Sequence, residues 1–390
     1  MIDLSERDDW IAACAGDDVV AQGRETIMPR TKPPFRADHV GSLLRPAALK
    51  AARGQHERGE ITVAELTAIE DDEIKKAIRK QEEIGLQSVT DGEFRRAFWN
   101  YDFLGKLDGV EAYLGERKIK FQGPQPKPMV LRVIGKLDAH RAHPMIEHFK
   151  FVAAHAKATP KMTIPSPSSL HFRYGRDAVP ASIYPVMDDF YRDLGASYCA
   201  VVRAFADAGC RYLQLDEVNF TYLCDPKLRA FVADRGDDPQ MLPHVYAAMI
   251  NAAVSDVPAD MTTAMHLCRG NFQSTFVASG GYEPVAEILF NAIDIDAYFM
   301  EYDSERAGGV RAAALRSQGQ NGGARPGHLE ERRDRIEGRA QAPHRPGGQV
   351  RRPRSALPFP AMRLRLDRRR QYPHRGRAVG KASADRGGGR

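Results

Sequence analysis

One phrase recurs along this chain and limits the folds open to it. Glu83-Ile-Gly-Leu-Gln-Ser-Val-Thr-Asp-Gly-Glu93 reads as a helix end, a glycine stop, a short strand and an acidic tip. Ala208-Gly-Cys-Arg-Tyr-Leu-Gln-Leu-Asp-Glu217 repeats that order after a helical pattern over 188–207. A third version, over 289–303, lacks the glycine but keeps helix, strand and acid. Helix, tight turn, strand and polar tip form the βα unit seen from its middle, so the repetition predicts a parallel sheet closed into a TIM-type (β/α)8 barrel. An open doubly wound sheet is the competing arrangement. No Gly-x-Gly-x-x-Gly follows a strand, however, and there is no phosphate-cradling Gly-Lys-Ser/Thr loop.

Seven strands can be read, at 36–42, 88–93, 129–135, 161–165, 212–217, 262–268 and 297–302, of the eight such a barrel needs. Pro46 opens a helix, and helical spacing of apolar residues continues over 64–84. The aromatic and glycine-rich stretch 98–123 reads as a hairpin-like excursion. Pro165 and Pro167 are expected to end their strand at its tip and to leave a rigid loop over the mouth.

Polar residues gather at the predicted strand tips, where such barrels place their active sites. His266 and Cys268 stand two residues apart and so leave the same face of one strand. An imidazole and a thiol together suit zinc better than magnesium or calcium, which prefer oxygen. Glu301 ends the next strand-like run and supplies a candidate third ligand. Asp91 with Glu93, and Asp216 with Glu217, are either site carboxylates or caps of the helices that follow. His39 is expected to be a hydrogen-bonded structural residue, and Cys210 and Cys224 core or loop thiols.

The chain of 390 residues has room for one large barrel with extensions. Its five cysteines, Cys14, Cys199, Cys210, Cys224 and Cys268, are too sparse for a disulfide framework and point to a reducing compartment. No apolar run reaches the roughly 18 residues of a membrane helix. The start is acidic where a signal peptide would be basic, so a cytoplasmic location with no membrane partner is expected. Residues 1–32 carry no pattern and read as a flexible leader.

The net charge of +6 conceals a division. Residues 311–390 hold 20 Arg and 1 Lys against 6 acids, which leaves 36 basic against 45 acidic residues before them. A basic tail raises nucleic acid as a partner. This one has no aromatic interleaving, no finger spacing and no helical or strand period, so a nucleic-acid function is not expected.

Six motifs in order make the chain recognisable: Phe35-Arg-Ala-Asp-His-Val-Gly-Ser, Thr90-Asp-Gly-Glu-Phe-Arg-Arg, Thr163-Ile-Pro-Ser-Pro-Ser, Gln214-Leu-Asp-Glu, Met265-His-Leu-Cys-Arg-Gly-Asn and Met300-Glu-Tyr-Asp. Over about 33–309 the chain resembles the short, single-barrel members of the cobalamin-independent methionine synthase family. The resemblance implies a zinc-dependent methyltransferase that moves a methyl group from a methyltetrahydrofolate-type donor to the thiol of homocysteine, giving methionine. It also implies His266, Cys268 and Glu301 as zinc ligands, Gly41 and Ser42 with Glu93 and Asp216 as the homocysteine site, and Glu93 and Asp216 as the catalytic carboxylates. Two alternatives remain: alkyl transfer to another thiol on the same zinc, or a metal-free barrel related to uroporphyrinogen decarboxylase.

The chain also departs from the family. The family's fourth zinc ligand is a cysteine late in the barrel, and no cysteine follows Cys268. Twenty arginines to one lysine, among many glycines and prolines, is the composition of a GC-rich coding sequence read out of frame. We therefore expect a frame shift near 308–311, a barrel incomplete at its last strand, a disordered tail over 310–390, and low or absent activity in this chain. An intact single frame on resequencing the locus would overturn that expectation.

Overall fold

The computed structural model describes residues 31–115, 118–119, 128–138, 142–272, 275–301 and 305–307. All fall within one compact unit, Met1–Ile336. The predicted tail, and the leader up to residue 30, lie outside the described residues.

The strands are β1 (Ser88–Val89), β2 (Val110–Leu114), β3 (Met129–Val133), β4 (Thr159–Pro160), β5 (Met162–Pro165), β6 (Tyr212–Glu217), β7 (Thr262–Leu267) and β8 (Ala297–Met300). The helices are α1 (Ala47–Glu57), α2 (Val63–Glu83), α3 (Tyr101–Leu104), α4 (Met145–His155), α5 (Met187–Asp207), α6 (Asn219–Tyr222), α7 (Pro226–Asp234), α8 (Leu242–Ala253) and α9 (Glu283–Asn291). Strands β5, β6, β7 and β8 form one parallel sheet in that order, and β1 pairs in parallel with β4. Lys161 joins the two groups: it sits between β4 and β5, and its N–H donates to Val89 O at 2.8 Å. The α/β class and the parallel order follow from the repeated phrase.

Three expectations need correction. Segment 36–42 joins no ladder; it is held by other bonds, with Thr90 Oγ1 donating to Gly41 O at 2.7 Å and Gln214 Nε2 to Val40 O at 3.0 Å. The run at 129–135 does form β3, but it pairs antiparallel with β2, Val110 opposite Val133, and so builds a hairpin instead of a barrel strand. Part of the expected excursion 98–123 is one arm of that hairpin. The first copy of the phrase keeps only a two-residue strand, because the left-handed residues Gly92 (φ 64°) and Glu93 (φ 58°) turn the chain soon after it.

Alternation sorts the strand residues. Leu213 and Leu215 of β6, with Met265 and Leu267 of β7, point outward into the main core against the helices. Tyr212, Ala264 and Ala297 point inward, where they pack with Phe35. Helix α5 buries Phe190, Leu194, Tyr198, Val201, Val202 and Phe205, and each such side chain contributes about 2 kcal/mol. Gly195 lets α5 approach α8 closely, since a Cβ there would stand 2.9 Å from that of Ala252. Helix α2 starts with a capping box between Thr62 and Glu65.

Beneath the sheet's amino end lies a buried ion pair. Asp38 Oδ1 is 3.3 Å from Lys161 Nζ and accepts from Ser88 Oγ and from the His39 N–H, while its Oδ2 accepts from Tyr212 Oη at 2.7 Å. Lys161 also donates to His39 O at 2.6 Å and lies over the rings of Tyr212 and Phe299. Among the described residues no helix is long and apolar enough to cross a membrane.

Candidate metal and substrate site

The inward parity of each strand continues past its end, and this places the site. On β6, Tyr212 and Gln214 lead to Asp216; on β7, Ala264 leads to His266 and then Cys268; after β8, Ala297 and Phe299 lead to Glu301. Asp216 and His266 are paired residues of adjacent strands, and the Cys268 N–H extends the ladder by donating to Glu217 O at 3.0 Å. The ligand atoms of His266, Cys268 and Glu301 all lie within 4.8 Å of one another. One imidazole nitrogen, one sulfur and one carboxylate oxygen at that separation fit a borderline-soft ion such as zinc.

The cluster is held from behind. Tyr282 Oη accepts from the Glu301 N–H at 3.2 Å, and Arg269 N–H donates to Glu301 Oε2 at 3.3 Å. Asn271 Nδ2 lies 2.7 Å from Glu301 Oε1 and 3.7 Å from Cys268 Sγ. The His266 ring stands between two carboxylates, Nδ1 3.4 Å from Asp216 and Nε2 3.7 Å from Glu301. Burial disfavours a charged ring, but the two carboxylates outweigh it and raise His266 to about 9. Burial, reinforced by the Glu301 charge, pushes the Cys268 thiol up to about 12. Without a metal, then, the imidazole holds a proton and the sulfur stays a thiol at neutral pH.

The four expected substrate residues form a chain leading to this cluster. Glu93 is buried, and its Oε1 accepts from Thr163 Oγ1 at 2.8 Å, with Arg96 Nη1 at 3.4 Å. Burial raises its carboxyl, Arg96 opposes the shift, and the charge of Asp216 adds to it. Gly41 packs against the same Thr163: a Cβ at residue 41, where φ is +105°, would meet Thr163 Cγ2 at 2.5 Å. Ser42 is exposed, and its Oγ accepts from Arg45, which also donates to Glu93 O at 2.8 Å. Asp216 accepts from Gln214 Nε2 at 2.6 Å.

The tip acids divide. Glu217 points the other way from Asp216 and caps α6, accepting from Phe220 N–H and from Asn219 N–H, with Ser168 Oγ 2.5 Å away. Asp91 accepts from the Glu93 N–H at 2.8 Å and so shapes the turn. His39 bonds Gln81 at 2.8 Å, as expected of a structural residue, and Cys210 and Cys224 are buried in the core. Thr163, Arg96, Gln214 and Asn271 lie inside the quoted motifs, but the sequence assigns them no role of their own. Strand parity from Lys161 through Thr163 was the available signal for the first of them.

Fold and donor set together define an α/β protein of the βα-repeat class with a candidate transition-metal centre at the carboxyl ends of its strands. The model of the cobalamin-independent synthase catalytic domain matches residues 35–301, and the chain belongs to that family. It is 46% identical over 287 residues to the Bacillus subtilis (strain 168) protein YxjH, covering 73% of this chain and 75% of that one. A crystal structure of a putative vitamin-B12 independent methionine synthase from Listeria monocytogenes superposes with a TM-score of 0.57 at 42% identity, over 70% of this chain and 74% of that one. A shorter match, 33% over 126 residues, is to the 5-methyltetrahydropteroyltriglutamate–homocysteine methyltransferase of a Synechococcus strain; it covers 29% of this chain and 17% of that protein.

Proposed function

We propose that this chain is a zinc-dependent methyltransferase acting on the thiol of homocysteine, with a methyltetrahydrofolate-type donor and methionine as product. The observation that carries the reading is the convergence of His266, Cys268 and Glu301 to within 4.8 Å, with Asp216 beside His266. Zinc bound there supplies Lewis acidity, which turns a substrate thiol into a thiolate at neutral pH. His266, Cys268 and Glu301 would hold the ion.

The chain's own groups do the remaining work. Glu93 and Asp216 offer carboxylates to the amino acid's ammonium group, and charge-assisted hydrogen bonds fix its direction. Thr163 and Arg96 hold Glu93 in place. The left-handed Gly41, packed against Thr163, and the neighbouring Ser42 take the remaining polar end of the amino acid. In the transfer the thiolate sulfur bonds to the methyl carbon as the carbon–nitrogen bond of the donor breaks. The electron pair stays on that nitrogen, which then takes a proton.

The test is direct. Zinc content, homocysteine binding by calorimetry and methionine formation are measured on the purified full chain. About one zinc per chain, lost in His266→Ala, is expected, together with homocysteine binding that weakens in Asp216→Asn. A chain that holds no zinc and whose homocysteine binding ignores both substitutions would overturn the reading.

A further inference from the structure

Asn271 follows Cys268 by three residues and belongs to the motif Met265-His-Leu-Cys-Arg-Gly-Asn, yet the zinc reading gives it no task. Its carboxamide touches two of the three candidate ligands, with Nδ2 2.7 Å from Glu301 Oε1 and 3.7 Å from Cys268 Sγ. Its Oδ1 accepts from Arg306 Nη1 at 3.1 Å, and Arg306 Nη2 lies 3.6 Å from Glu301 Oε2. The direction of the amide is fixed by chemistry: an ionised carboxylate only accepts and a guanidinium only donates, so the NH2 faces Glu301 and the oxygen faces Arg306.

Arg306 is itself anchored. Its backbone oxygen accepts from Gly280 N–H at 2.8 Å, and its guanidinium lies 4.6 Å from the centre of the Phe276 ring. Two loops, one after β7 and one after β8, are thus tied together across the ligand cluster, with Asn271 as the knot. A donor shared between a carboxylate oxygen and a sulfur limits both ligands to a narrow range of positions.

We propose that Asn271, oriented by Arg306, is a positioning residue of the metal centre that presets Glu301 and Cys268 for the ion. The proposal rests on the zinc reading above, so its test separates the two. Cobalt(II) is titrated into the metal-free full chain and into Asn271→Ala, Asn271→Asp, Arg306→Met and His266→Ala, following the thiolate-to-cobalt charge-transfer band and the ligand-field bands. Asn271→Ala is expected to weaken binding by about 10- to 100-fold, as outer-shell partners of metal ligands do, and to shift the ligand-field bands. Asn271→Asp sets an acceptor against Glu301 and is expected to weaken binding at least as much. Arg306→Met weakens it less, and adds little once Asn271 is already alanine. Thermal unfolding of the metal-free proteins should be alike for the wild type and Asn271→Ala, which separates positioning from folding. If His266→Ala abolishes binding while Asn271→Ala keeps wild-type affinity and spectrum, the positioning role is wrong and the zinc reading stands. If His266→Ala binds as the wild type does, both are wrong.

Discussion

Asp216 and His266 face each other as paired residues of β6 and β7, with Oδ1 3.4 Å from Nδ1. The contact gives Asp216 two uses. It fixes which imidazole nitrogen is turned to the carboxylate and leaves the other facing Glu301, the carboxylate–histidine arrangement common around zinc. It also sets a negative charge beside Glu93, whose buried carboxyl it helps to raise.

The same contact makes metal binding compete with protons. His266 is raised to about 9 and Cys268 to about 12 in the metal-free chain. Below both values the ion displaces two protons, so zinc affinity should rise with pH, by up to about a hundredfold per pH unit. Above about 9 the imidazole is already neutral, and the slope should fall to that of the thiol alone. Competition with a chelator of known affinity, from pH 6 to pH 10, measures the slope; a flat profile below pH 9 would contradict the assigned ligands.

Gly41→Ala tests the other end of the site. The residue adopts φ +105°, and its new Cβ would stand 2.5 Å from Thr163 Cγ2. Thr163 must then withdraw from Glu93, which loses its 2.8 Å hydrogen bond. One such bond to a charged group is worth about 1.5–3 kcal/mol, so homocysteine affinity should fall roughly tenfold or more by calorimetry while zinc content is unchanged. Unaltered homocysteine binding would separate Gly41 from the site.

How much of this was legible in the sequence depends on the range of the contacts involved. The convergence of His266, Cys268 and Glu301 could be read because each inherits its direction from its own strand or strand end. Asp216 and Glu217 could not be told apart, since either can cap a helix; the parity of β6 turns one inward and makes the other the cap of α6. Segment 36–42 reads as a strand from its residues, but the chain bends at Arg36, Ala37 and Gly41, and it is held by the side chains of Thr90 and Gln214, which no local pattern encodes. Residues 129–133 have the composition of a strand, and only their antiparallel partner in β2 makes them a hairpin. Asn271 depends on Arg306, 35 residues away, and stayed silent for the same reason.

The pair of Asp38 and Lys161 should dominate stability beneath the sheet. Both side chains are almost wholly buried, 2% and 0% exposed, and all the partners of Asp38 lie within the protein. Removing one member leaves a charge without its counterion, at a cost of about 3–5 kcal/mol. Lys161→Met and Asp38→Leu are each expected to lower the midpoint of urea unfolding strongly. The double variant should recover a large part of the loss, because two apolar side chains leave no stranded charge. Additive losses in the double variant would show that the pair acts through packing alone.

Acid should unfold the chain earlier than its carboxylates would require. His143, His148 and His171 are all lowered to about 4, chiefly by burial; the Phe103 carbonyl opposes this at His143, and Asp237 at His171. His171 is fully buried and lies between the hydroxyls of Tyr246, at 2.9 Å, and Tyr191, at 3.1 Å. An unfolded chain takes up these protons near pH 6.5, whereas the folded chain resists until about 4. The unfolded state therefore binds more protons between those values, and stability falls as pH falls through that window. Each histidine is worth about 3 kcal/mol by pH 4, a large share of the total for any domain. His266 has the opposite sign: in the metal-free chain its raised value stabilises the fold below about 6.5, and that contribution is lost as pH rises through about 9. Urea midpoints from pH 10 to pH 4.5, with the histidine ring protons followed by NMR, measure both. The expected outcome is a steep decline below pH 6.5 with His171 still neutral at pH 5; a His171 resonance that titrates near 6.5 in the folded protein would remove its part of the argument.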